Sequence, residues 1–106
     1  MTKNHHNSVM FNESIDGLDI HPHGIYVDAT FGRGGHTQGI LNQLGDSGQV
    51  IAFDHDIDAI DFAKSNFNDL RLSVIHSNFS KLHNELERLN LIGKIDGILM
   101  DLGVSS

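Results

Sequence analysis

No cysteine occurs in the 106 residues, which removes disulfide frameworks, thiolate zinc sites and cysteine nucleophiles from consideration together. No run approaches the roughly 18 consecutive apolar residues of a membrane-spanning helix, so no membrane partner is expected. The apolar fraction of 39% still suffices for a core. The opening segment MTKNHHNSVMFNES carries no apolar stretch of the secretory kind. With the missing thiols, this points to a cytoplasmic location. Positive charge is also scarce, with seven Lys and Arg against 14 Asp and Glu and a formal net charge of −7. The seven are dispersed (Lys3, Arg33, Lys64, Arg71, Lys81, Arg88, Lys94), so this segment alone is no nucleic-acid clamp. If the substrate is nucleic acid, most of the phosphate-binding surface lies elsewhere. Repeats and low-complexity linkers are lacking too, and the length suits one domain. Nothing in the sequence specifies an oligomer.

What is present is organised around Ile25–Thr37, IYVDATFGRGGHT. An apolar β-type run reaches a carboxylate at Asp28, breaks into Gly32, Gly34 and Gly35, and restarts with helical spacing at His36. A strand, a glycine-rich turn and a helix in that order form a nucleotide-binding loop. Before it, the loose periodicity of Val9, Met10, Phe11, Ile15 and Leu18 predicts a short helix over Val9–Ile20. A turn at Asp19–Gly24, broken by Pro22 and Gly24, follows. Residues 1–24 are thus an N-terminal helical segment, and 25–106 carry the α/β pattern.

That pattern is regular. Strands are predicted at Ile25–Ala29, Val50–Asp54, Leu72–His76 and Ile95–Asp101, with helices at about His36–Leu44, Asp56–Phe67 and Ser80–Asn90. The second helix should bury Ile57, Ile60, Ala63 and Phe67, and Ser80 is the expected N-cap of the third. VIAFD is continuously apolar, as a strand buried on both faces requires. Such alternation means a parallel sheet with right-handed crossovers. The expected order is 3-2-1-4, the first half of a doubly wound fold. Strand 4 would then be an open apolar edge, so a fragment of a longer protein is expected.

Ligands of parallel sheets bind beyond the carboxyl ends of the strands, where strand order reverses. A distinctive group falls at each end: Gly32–His36, Asp54, Asn78-Phe79 and Asp101. The glycines let backbone approach a ligand. Asp54, 20 residues beyond Gly34, can accept from ribose hydroxyls, although a solvated Asp at a helix start reads the same way. Phe79 is placed for an adenine face or for the core. Asp101 ends an apolar strand, where a carboxylate is costly unless it binds something. His5-His6 and His21-Pro22-His23 have close spacing, but no helical HxxxH pair supports a metal, and none is expected. Dinucleotides and S-adenosylmethionine share this architecture. G-x-G-x-x-G/A wants a small residue at position 37, which holds Thr37, so the loop favours S-adenosylmethionine; a nicotinamide-dependent dehydrogenase and a non-catalytic nucleotide-binding module remain the alternatives.

The segments VDATFGRGGHT, IAFDHDIDAI, HSNFS and KIDGILMDLGVSS resemble those of the bacterial RsmH (MraW) family. Members are S-adenosylmethionine-dependent methyltransferases acting on a cytidine N4 of 16S ribosomal RNA in the small ribosomal subunit. The opening HHNSVMFNESID is similar as well, with Ser8 where proline is common. The resemblance runs from about His5 to Ser106. It implies a Rossmann-like class I methyltransferase fold, with cofactor contacts at Gly34, Gly35, His36, Asp54, Phe79 and Asp101. Asp101 is also the nearest candidate for a catalytic acceptor. Family members continue with a glutamine after DLGVSS, further strands and an inserted helical domain for RNA. In that light Ile25–Thr37 becomes the methionine-side wall of the pocket.

Overall fold

The computed structural model describes residues 19–100. The N-terminal helix expected over Val9–Ile20 falls almost wholly outside them, as does Asp101. Four parallel strands form one sheet: β1 (Ile25–Asp28), β2 (Gln49–Asp54), β3 (Leu72–His76) and β4 (Gly97–Leu99), in the spatial order β3-β2-β1-β4. Helices α1 (Gly35–Gln43), α2 (Ile57–Asn66) and α3 (Leu82–Arg88) connect them, with a 3-10 turn at Phe79–Lys81 before α3. The sheet order is the one the sequence predicts.

Alternation along the inner strands decides which helix packs where. Tyr26 of β1 and Val50 of β2 join Ile40, Leu41 and Leu44 of the first connection in one cluster. Ala52 meets Ala59 and Ala63 of α2 together with Phe31. On the opposite face Val27, Ile51 and Phe53 pack against Leu86 of α3. Two helices therefore cover one face and the third covers the other, as a doubly wound sheet requires. Val50, Ile51, Ala52 and Phe53 are all essentially buried, so β2 is enclosed from both sides, as β1 is at Tyr26 and Val27.

Three local expectations are corrected. Ile57 is half exposed; Ala59, Ile60 and Ala63 form the buried arc of α2 instead. Asp56 caps that helix, accepting from the Asp58 amide at 2.9 Å, so Ile57 sits in its first turn at the rim of the sheet. Ser80 does not cap α3. Its hydroxyl donates to Asn78 Oδ1 at 2.5 Å, and Lys81 occupies the cap position without a side-chain bond. Among the described residues the fourth strand pairs over Gly97–Leu99, opposite Tyr26–Asp28, and not from Ile95. No helix among the described residues is long and apolar enough to cross a membrane.

Arg71, at the start of β3, ties the sheet to α1. Its Nη1 donates to the carbonyls of Leu41 (3.0 Å), which also accepts from the Leu44 N–H, and of Leu44 (2.9 Å), both at the end of α1. Asp69 holds the guanidinium through Nε at 2.9 Å and Nη2 at 2.6 Å. Those side-chain bonds, followed by the Arg71 backbone N–H, lower the Asp69 carboxyl from 3.8 to about 2 against a smaller opposing effect of burial. A depressed carboxyl stabilises the fold above its unfolded value and loses that contribution as pH falls. Acid titration of stability should thus show a component lost between about pH 4 and pH 2. Arg71→Ala should lower the urea midpoint at neutral pH and flatten that acid component. Equilibrium denaturation at a series of pH values checks both.

Candidate cofactor site

The carboxyl ends of β1 and β2 are joined through Asp54. Its Oδ2 accepts from the amide of Gly32 at 2.8 Å, and its Oδ1 from that of Asp56 at 3.0 Å. The glycine turn is also hung on β2 by Phe31 N–H to the Phe53 carbonyl, 2.9 Å. Only 11% of the Asp54 side chain is exposed. One carboxylate therefore fixes both the glycine turn and the entry into α2. Ser77 N–H to the Asp54 carbonyl, 3.0 Å, brings the segment after β3 to the same place.

The glycines do different work. Gly34 takes a left-handed conformation (φ 84°) as the N-cap of α1. A Cβ there would stand 2.6 Å from Phe67 and 2.7 Å from Phe31, whose rings meet edge to face with centroids 5.4 Å apart. Its amide donates to the Phe31 carbonyl and its carbonyl accepts from Gln38, both at 2.8 Å. Packing and backbone thus account for glycine at 34. Gly32 also needs a positive φ, 57°. Gly35 differs from both. It is exposed, has no positive φ, and a Cβ added to it would meet nothing within 4 Å. Packing among the described residues does not call for glycine there, and a ligand can lie against the backbone in the open space above it.

Behind this turn lies a pair that periodicity does not reveal. Asp28, 1% exposed, ends β1; its Oδ2 accepts from the hydroxyl of fully buried Thr37 at 2.6 Å and its Oδ1 from the Thr30 amide at 3.1 Å. The sequence marks Asp28 as a carboxylate before the loop and Thr37 as standing where a dinucleotide loop wants a small residue, but does not join the two. His36, between Gly35 and Thr37, is partly buried and interacts with its surroundings.

Two open clefts flank the strand ends. One, of about 610 Å³, includes Gly32, Arg33, Asp54, Asp56 and Phe62, with the Arg33 guanidinium 5.1 Å from the Phe62 ring centroid. The other, about 310 Å³, lies between His55, His76, Asn78 and Lys81. The structure thus gathers Gly34, Gly35, Asp54 and the Asn78-Phe79 segment around the ends of β1–β3. Asp101 is outside the described residues, and so are His5 and His6. His23 Nδ1 bonds Ser47 Oγ, and among the described residues no three His, Asp or Glu side chains gather as a metal would require.

Sheet order, glycine turn and strand-end carboxylate together define a Rossmann-like methyltransferase fold. Its overlap with solved structures is direct. A protein described as an rRNA-methylase from Clostridium thermocellum matches 69% of this chain and 44% of its own at a TM-score of 0.62 and 25% identity. An rRNA methylase from Streptococcus thermophilus shares the fold at a TM-score of 0.57 and 23% identity, over 72% of this chain and 45% of its own. The chain belongs to the MraW methylase family, whose model matches residues 3–106. The ribosomal RNA small subunit methyltransferase H of Ruthia magnifica is 62% identical over all 106 residues, and that of Pseudoalteromonas atlantica 57% over 105. The chain spans about a third of these curated relatives, 34% of each.

The two neighbouring glycines should separate on substitution. Gly34→Ala should cost at least ~1–2 kcal/mol from the left-handed conformation alone, with the ring clashes adding to it. Gly35→Ala should leave stability within about 1 kcal/mol of the parent, on the stabilising side. Chemical denaturation of both variants checks the contrast.

Proposed function

We propose that this chain forms the cofactor-binding part of an S-adenosylmethionine-dependent methyltransferase acting on the exocyclic N4 of a cytidine in 16S rRNA of the small ribosomal subunit. The observation that carries the cofactor reading is the open space over Gly35, a cradle that a side chain would fill, at the start of a helix and beside Asp54. The substrate reading comes from the relatives named ribosomal RNA small subunit methyltransferase H.

The residues fit such a ligand. The positive end of α1 suits its carboxylate. Asp54 uses one acceptor direction on each oxygen for Gly32 and Asp56; an ionised carboxylate has about four, so two remain for the ribose hydroxyls. Gly34, Gly35 and His36 are assigned to the methionine side, Phe79 to the adenine and Asp101 to the cofactor. Bound there, S-adenosylmethionine supplies a methyl group activated by its positive sulfonium.

The cytosine amine is a poor nucleophile because its lone pair is conjugated into the ring. The protein's task is to hold N4 in line with the methyl group and to accept a hydrogen bond as the nitrogen becomes tetrahedral. Asp101 is the candidate acceptor in this chain. The target base leaves its stack to reach the site, as for other base-modifying enzymes. With its cations dispersed, this part of the protein is assigned to the cofactor, and the RNA-binding surface to regions outside residues 19–100.

A full-length protein that contains this segment should transfer labelled methyl from S-adenosylmethionine to a cytidine N4 of 30S subunits lacking the modification, whereas the 106 residues alone should be inactive. Asp54→Ala should weaken cofactor binding by roughly 1.5–3 kcal/mol, the scale of hydrogen bonds to a charged group, in calorimetric titration. Heat with NADH and none with S-adenosylmethionine would replace the reading with a dehydrogenase. Cofactor binding without transfer would leave a binding module.

A further inference from the structure

We propose that His76 is a positioning residue for Asp54, acting on its carboxylate through the peptide group between His55 and Asp56. The inference rests on the ribose role given to Asp54 above and adds the residue that orients it.

Asp54 and His76 stand opposite each other at the last rung of the β2–β3 ladder. Past this rung the chain after Asp54 turns into α2, whose cap is Asp56. His76 Nε2 lies 3.0 Å from the carbonyl oxygen of His55. A carbonyl can only accept, so the ring nitrogen carries the hydrogen and donates. The same peptide group ends in the Asp56 N–H, which donates to Asp54 Oδ1 at 3.0 Å. The ring of His55 itself, with Nδ1 3.8 Å from that oxygen, stands beyond hydrogen-bond reach.

Planarity makes this peptide a lever. A trans C=O and the N–H that follows it lie in one plane and point opposite ways, so a bond that sets the direction of the carbonyl also sets that of the amide. Turning the His55–Asp56 peptide away would break both bonds together. Hydrogen bonds in such a chain also polarise one another, which strengthens the hold of the amide on the carboxylate. His76 is exposed and lines the cleft of about 310 Å³ with His55 and Asn78, so its ring is not there to fill the core. It supplies a donor at the strand ends. With Oδ1 held through this relay and Oδ2 by Gly32 at 2.8 Å, the remaining acceptor directions of Asp54 are set before a ligand arrives. Loss of the His76 donor frees the peptide and lets the carboxylate turn, which weakens ligands that need it.

The test is calorimetric titration of a full-length protein that contains this segment with S-adenosylhomocysteine and its 2′-deoxy analogue. The ratio of the two affinities measures how well Asp54 is aimed at the ribose. His76→Phe keeps a flat ring without the donor and should cut the preference for the ribose ligand by about two- to tenfold, the range of a typical hydrogen bond. His76→Gln, whose amide nitrogen stands the same number of bonds from the main chain, should restore it. In an Asp54→Ala background His76→Phe should change the preference no further. Equal weakening of both ligands by His76→Phe would overturn the proposal, as would a His76→Gln variant that folds without restoring the preference. A further loss in the Asp54→Ala background overturns it too, since the ring would then meet the ligand directly. If His76→Phe does not fold, the parent's ring decides: nitrogen NMR should find the His76 proton on Nε2, and a proton on Nδ1 alone overturns the relay. A parent that binds neither ligand removes the cofactor reading and this proposal together, whereas an undiminished ribose preference in His76→Phe removes this proposal alone.

Discussion

The two hydrogen bonds accepted by Asp54 are the constraint on which the rest of the site depends. Gly32 and Asp56 belong to turns that leave different strands, yet their amides converge on one carboxylate at 2.8 and 3.0 Å. Charge-assisted bonds of this kind are stronger than neutral ones, and here they hold the glycine turn at a fixed height over the sheet. The strand beneath is buried, with Val50 to Phe53 enclosed from both faces. A rigid support thus carries a carboxylate, and the carboxylate carries the loop. Binding residues held in this way need little reorganisation when a ligand arrives.

Around that brace, neighbouring glycines divide two tasks. Gly34 lets the chain turn past the Phe31 and Phe67 rings, whereas Gly35 leaves space that no atom of the described residues fills. The first task is architectural and the second is open to a ligand. A sequence motif that counts glycines cannot tell them apart, because the distinction lies in a contact between Gly34 and a ring 33 residues further along. Asp28 and Thr37 present the same difficulty. They are a strand end and a helix start, joined across the turn at 2.6 Å, and neither period 2 nor period 3.6 links them.

Much of the architecture was legible all the same. Four apolar runs separated by amphipathic stretches were enough for the strand order, since parallel connections leave few alternatives. Leu72–His76 has the expected limits, and VIAFD is as buried as its composition implies. Errors collected at helix starts. Ile57 fits the apolar spacing of α2 but falls in the first turn, beyond the edge of the packed surface. Ser80 has the side chain of a cap, yet Asn78 takes its hydroxyl and the chain passes through a 3-10 turn before α3. Both are contests between local groups of similar strength, and the tertiary surroundings decide them. The roles of Asp54 split in the same way: its position at a strand end was readable, whereas its service to the Gly32 and Asp56 amides required coordinates.

The central claim is that Asp54 can brace the glycine turn and bind a ribose at once, using different lone pairs. A crystal structure of the full chain with S-adenosylhomocysteine tests it most directly. The account predicts both ribose hydroxyls within about 2.6–3.2 Å of the Asp54 carboxylate, the Gly32 and Asp56 bonds retained, and the ligand's amino-acid end over Gly35. A ligand whose ribose lies away from Asp54, or a carboxylate that releases Gly32 in order to reach it, would contradict the account.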